Sequence, residues 1–156
     1  SRGLVLLDYF RAKDPQSFAA DYDFDGIEPF TLLLVDANHT ISFDELRWDG
    51  VNIYHRQLDP TTPAIRSSAT LYEPEVIKQR EDLFSRWLSE NGEPSPKETL
   101  EFHTTAGVGD SFNDLVMNRN DKVRTVSITQ IIHATDKPKM IHRDLSESEV
   151  RQVEVG

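Results

Sequence analysis

Polar side chains capable of chemistry are densest between His103 and Thr129, in H-T-T-A-G-V-G-D-S-F-N-D-L-V-M-N-R-N-D-K-V-R-T-V-S-I-T. The stretch ends a predicted helix and crosses a glycine-containing loop with Asp110, Asn113 and Asp114. It then reaches Asn118 and Arg119 and enters a predicted strand through Arg124. Polar groups leading into an apolar strand are what a site at the mouth of a sheet requires. Val126, Ile128 and Ile132 share the parity of Arg124, and Thr125, Ser127 and Thr129 form a row of hydroxyls on the other side. One reading is a β-branched strand with a half-wet face. The other is a guanidinium with hydroxyls lining a pocket for a carboxylate or a developing oxyanion. On that reading Asn118, Arg119, Arg124, Thr125 and Ser127 bind ligand, while Asp110 and Asn113 cap turns.

Arg80 stands in the apolar stripe of its helix, beside Val76, Leu83, Phe84 and Trp87 at helical spacing. It either snorkels to solvent, pairs with a buried carboxylate or serves a site, and burial demands a partner. Ser67-Ser68 follows a proline-containing loop. Serines there form turns or caps, and no G-x-S-x-G elbow or adjacent base makes either a hydrolase nucleophile. His39, His55, His103, His133 and His142 show no H-x-x-x-H spacing. Asp110, Asn113 and Asp114 lack the ligand order of an EF-hand loop, so no metal site is expected and no cofactor is evident. Ser1 reads as a helix cap or a chain boundary rather than an N-terminal nucleophile.

The elements that must position these residues follow from periodicity. Helices are expected over Gly3–Ala12 and from Asp14-Pro15 to about Tyr22. Phe30–Val35 is apolar enough for a strand covered on both faces. A turn at Asn38-His39 leads to Thr40–Trp48, with a bulge expected at Asp44-Glu45. Asp49-Gly50 predicts a tight hairpin returning through Val51–Leu58. A helix opens at Pro74 and stops at Asn91-Gly92. Ser95-Pro96-Lys97-Glu98 is a capping box for a second helix to about Thr105. Val123–His133 and Lys139–Asp144 form a hairpin around Asp136–Pro138, and residues 146–156 read as a charged tail that frays. This order predicts one α+β domain over residues 1–145.

The chain has 156 residues, with 17 Lys and Arg against 27 Asp and Glu, a net charge of −10. A surface that acidic repels phosphate backbones, which argues against nucleic acid as a partner. No apolar run approaches the roughly 20 residues of a membrane span. Without cysteine there is no disulfide or thiolate chemistry, and a cytoplasmic location is the default expectation.

Taken in order, several segments resemble the NRDE family, which includes the transport and Golgi organisation protein 2 homologues. They are S-R-G-L-V-L-L-D, I-E-P-F-T-L-L-L-V-D, R-W-D-G, S-S-A-T-L-Y from Ser67 to Tyr72, R-x-x-x-F-x-x-W-L from Arg80 to Leu88, and F-H through N-D-L-V-M-N-R to T-V-S-I-T. Together they cover nearly everything up to Leu145. The resemblance implies an N-terminal-nucleophile-hydrolase-like αββα arrangement of antiparallel sheets between helical layers. Family members open with Met-Cys, the Asn-Arg-Asp-Glu motif and a Gly-Thr-Trp segment, none of which is present. The chain is therefore expected to be the later two-thirds of the domain, incomplete at its N-terminus. The resemblance implies a protein binding a small amphipathic or acidic metabolite, with haem or lipid handling implied by eukaryotic members. The alternative is an amide hydrolase whose cysteine lies in the absent segment, with Arg124 at the oxyanion and Ser68 near the ligand. The expected partners are the small molecule, and that N-terminal segment or a second copy at an exposed sheet edge.

Overall fold

Short helices and antiparallel strands alternate in the order that the sequence predicts, as seen in a computed structural model describing residues 2–37, 40–68, 70–133, 138–147 and 149–154. The expected cap Ser1, the turn at Asn38-His39 and most of the turn at Asp136–Pro138 lie outside the described residues. The chain divides into two compact units, Ser1–Ile77 and Lys78–Gly156. Mixed helices and open antiparallel sheets make the fold class α+β. No helix among the described residues is long and apolar enough to cross a membrane.

In the first unit, α1 (Arg2–Tyr9) gives way to a turn before the predicted end at Ala12. Asp14 caps α2 (Pro15–Asp21), its carboxylate accepting from the Ser17 amide at 2.7 Å, with proline at the first helical position. Then β1 (Phe30–Asp36), β2 (Ser42–Trp48) and β3 (Ile53–Leu58) form an antiparallel meander. Their register runs unbroken from Asp36 opposite Ser42 to Phe30 opposite Trp48, so the bulge expected at Asp44-Glu45 is absent. Asp44 simply takes a place on the same face as Leu46, where it meets His55 Nε2 at 2.7 Å. The hairpin closes one residue later than predicted: the Asp49 amide donates to Asn52 O, and Gly50 takes φ 100° at the first central position.

Alternation puts Phe30, Leu32, Leu34, Leu46, Trp48 and Ile53 on one face of this sheet. There they pack with Val5, Phe18 and Phe24. Trp48 stacks on Phe24 and donates its indole N–H to Ile27 O at 2.8 Å, which satisfies the one polar atom of a large apolar ring. The opposite face is not covered as predicted: Leu33 is 48% and Val35 57% exposed.

The second unit holds most of α3 (Pro74–Asn91) and all of α4 (Pro96–Thr105). Gly92 at φ 66° ends α3, and the Ser95–Glu98 capping box opens α4. Trp87 and Phe84 pack on the buried Phe102. The predicted long strand from Val123 is divided. β4 (Asn118–Arg119) and β5 (Val123–Arg124) form a short hairpin, and β6 (Ser127–Ile132) begins after a break. At the break the Thr125 amide donates to Met117 O, in register with the β4–β5 pairing, and β6 begins two residues later. β7 (Lys139–Asp144) pairs with β6, and β8 (Val150–Glu154) pairs with β7. The expected fraying tail thus supplies an edge strand.

Candidate functional site

The residues singled out in the sequence fall into two groups. Ser68 belongs to the first unit, and Asn118, Arg119, Arg124, Thr125 and Ser127 belong to the second.

In the second unit most of these side chains build the loop that carries them. Asp110 accepts from the Asn113 side chain at 2.8 Å and the Phe112 amide at 2.9 Å, and those contacts hold its carboxyl below the usual range. Arg119 donates from Nε to Phe112 O at 2.9 Å and from Nη2 to Asn113 Oδ1 at 3.2 Å. Asn118 exchanges hydrogen bonds of 2.7 Å with the Asp121 carboxylate and amide. Asn120 and Asp121 both take positive φ, 54° and 58°, as the turn of a mirror-image hairpin requires. The Thr125 hydroxyl accepts from the Met117 amide at 3.0 Å and donates to Leu115 O at 3.3 Å. Arg124 lies opposite Asn118, exposed, with Nη2 on Ser146 Oγ at 3.3 Å. Arg80 is 9% exposed, as the need for a partner anticipated, and its described hydrogen bonds go to the carbonyls of Asn113 and Asp114. These residues do not gather around one recess.

Ser127 does lie on the same face of its sheet as Thr129, His142, Asp144 and Arg151. His142, Asp144, Glu149 and Arg151 line a cavity of about 140 Å³. Its groups are paired internally. Thr129 meets His142 Nδ1 at 2.9 Å, Glu149 and Arg151 form a two-point ion pair, and Asp144 accepts the amides of Ser146 and Glu147. Among the described residues no group of His, Asp and Glu has the arrangement of a metal site.

The arrangement with open chemistry is the outer face of the β1–β3 sheet in the first unit. Register sorts it into three cross-strand rows. Thr31, Arg47 and Tyr54 form the first, Leu33, Glu45 and Arg56 the second, and Val35, Phe43 and Leu58 the third. One end is therefore cationic and hydroxylated, and the other is apolar. Glu45, Arg47, Asp49, Tyr54, His55 and Arg56 line a depression of about 550 Å³, in which Asp49 interacts with both Arg47 and Tyr54.

Segment 65–68 crosses beside this face. Arg66 bonds Glu45 through Nε and its own loop, Ile65 O, through Nη1 at 2.9 Å, which ties the segment to the sheet. Arg2, Thr31, Leu33, Arg66, Ser67 and Ser68 line an adjoining recess of about 400 Å³. The Thr31 hydroxyl is buried there and finds no hydrogen-bond partner among the described residues.

Of the residues expected at the site, Ser68 alone takes part in this arrangement. Thr31, Arg47, Tyr54, Arg56 and Arg66 were not anticipated. Part of the signal was available: alternation puts Arg47, Glu45, Tyr54 and Arg56 on one face, but the Asp49-Gly50 turn read from the sequence pairs Arg47 with Asn52, and only the later closure brings Arg47 beside Tyr54 and Glu45 beside Arg56. Reading Phe30–Val35 as a doubly covered strand hid it.

Comparison with protein-family models, curated proteins and solved structures finds no match to this chain.

Proposed function

We propose that this chain binds a small amphipathic anion across the outer face of the β1–β3 sheet. The observation that carries the reading is the ordering of the three rows, cationic at Arg47 and Arg56 and apolar at Val35, Phe43 and Leu58. Four residues along a strand separate the first and last rows, about 13 Å at the usual rise. That span suits one molecule with an acidic head and an apolar body. Arg47 and Arg56 supply cations to this face beside Glu45, which Arg66 neutralises, and Asp49. Tyr54 and Val35, each more than half exposed, leave contact area for such a ligand.

The same reading accords with the resemblance to the NRDE family and the N-terminal-nucleophile-hydrolase-like layering it implies. The order of helices and antiparallel sheets supports that fold, and metabolite binding is the activity the resemblance implies.

Fluorescence titration with anilinonaphthalene sulfonate, an amphipathic anion, tests the proposal. Arg56→Ala should weaken binding about tenfold, the worth of one charge-assisted hydrogen bond. Val35→Ser should weaken it severalfold, while Lys97→Ala in the second unit leaves it unchanged. Equal affinity in all three variants would sink the proposal.

A further inference from the structure

We propose that β1 is the docking edge for a second copy of this chain, the two β1 strands pairing antiparallel about a two-fold axis at Leu33. The pairing does not depend on anion binding at the outer face. Its first support is the edge itself. β1 ends the order β1-β2-β3, and among the described residues the backbone of Phe30–Val35 bonds to β2 alone. The strand runs from Phe30 to Asp36 without a bulge, proline, lysine or arginine. Those are the devices that keep a sheet edge from pairing. The opposite edge of the same sheet, β3, carries His55, Arg56 and Gln57. An edge as apolar and regular as β1 is a template for another strand.

The second support is that this edge is complementary to itself. A two-fold axis at Leu33 lays the whole strand on its copy, with Leu32 opposite Leu34 and Thr31 opposite Val35. Phe30 then lies opposite Asp36 of the second copy. Arg2 is held at this end of the strand, its Nη1 3.5 Å from Pro29 O. Each Arg2 therefore meets the Asp36 of the other copy, once at either end of the pairing. Parallel pairing would instead set the two Asp36 carboxylates side by side, which is repulsive.

The third support is α1. While α2 packs on β2 and β3, α1 lies towards β1, with Val5 and Tyr9 in the cluster that holds Phe30, Leu32 and Leu34. Away from Val5, α1 and the turn after it expose Leu4 (56%), Leu6 (44%), Leu7 (60%) and Phe10 (76%). A single strand pair falls short of the roughly 1,200 Å² that a stable dimer buries, and this apolar arc beside the edge adds to it.

Sedimentation over a concentration series tests the proposal. The chain should dimerise, and Arg2→Glu and Asp36→Arg should each weaken the dimer about tenfold. The two changes together should restore it, because the pair is re-formed with its charges exchanged. A second measurement does not depend on these variants. The chain has no cysteine, so Leu33→Cys should oxidise to a covalent dimer, and Gln57→Cys on the other edge should not. A monomer at every concentration, a dimer that both charge reversals leave intact, a double change that fails to restore pairing, or cross-linking through Gln57→Cys in place of Leu33→Cys would each overturn the proposal. A monomer whose β1 amides resist hydrogen exchange would overturn it in favour of another segment of the same chain covering the edge.

Discussion

Arg80 Nη2 lies 2.8 Å from the main-chain carbonyl of Asp114, on a side chain only 9% exposed. The same guanidinium spans to Asn113 O through Nε at 3.0 Å and Nη2 at 2.9 Å. A helix residue thus holds two consecutive carbonyls of a loop more than thirty residues away in sequence. The planar fork of arginine suits this bridging, and a lysine ammonium does not reproduce it.

Arg80→Met is therefore expected to destabilise the fold by about 2–3 kcal/mol, since it leaves carbonyls without their donor. Arg80→Lys should recover only part of the loss. Urea unfolding of the three proteins checks this. A methionine variant as stable as the parent would show that the carbonyls find water at no cost.

Gly107 stands against the carboxyl group of Asp114, closer than any Cβ could be tolerated. That carboxylate is not free to swing away, because it accepts the amides of Val108 at 2.7 Å and Gly109 at 3.1 Å. Gly107→Ala should cost about 1–3 kcal/mol by forcing one of those contacts to break. Combining it with Asp114→Ala should cost less than the sum of the two single changes, since the clash and the caps involve the same group. Additive effects in thermal melts would count against this.

Much of the local structure was legible because it is written in short-range chemistry. The Asp14-Pro15 start, the Ser95–Glu98 box and the Asn91-Gly92 stop each depend on residues within one turn of each other. The errors came where pairing decides. β8 carries Val150 and Val153 three apart, on opposite faces, so its hydrophobic pattern has no period of two and its backbone bonds to β7 hold it. Arg124 and Thr125 read as the head of a long strand because Val123–His133 is rich in β-branched residues. Thr125 is instead tied to Leu115 and Met117, on the β4 side, and β6 begins only at Ser127. The outer-face rows needed a register that no single segment contains.

The capping carboxylates predict acid sensitivity. Asp14, Asp49, Asp59, Asp110 and Asp144 are all held below the usual carboxylate range, chiefly by hydrogen bonds from nearby amides and, for Asp110, first from the Asn113 side chain. A group whose folded pKa is depressed stabilises fully above its unfolded value, about 3.9, and loses that stabilisation as pH falls through the folded value. Melting temperature should thus be flat from pH 7 to 5 and fall steadily below pH 4. Asp49→Asn should make the decline shallower by removing one of the linked protons. A melt insensitive to pH between 5 and 2.5 would contradict this.

Arg124 and Thr125 are neighbours that sequence alone places together at a binding strand, and they separate cleanly in structure. Thr125 Oγ1 joins Met117 and Leu115, so Thr125→Val should leave a main-chain amide and a carbonyl short of partners and cost about 1–3 kcal/mol. Arg124 is exposed, and its described contact is a 3.3 Å hydrogen bond to the exposed Ser146, so Arg124→Ala should change stability by no more than about 0.5 kcal/mol. Running both melts alongside a sulfonate titration sorts the roles. A selective loss of binding in Arg124→Ala, with its melt unchanged, would return that cation to the site expected from the sequence. Unchanged binding, with a large loss of stability confined to Thr125→Val, would fix the pair as surface and scaffold and leave anion binding to the outer face of the β1–β3 sheet.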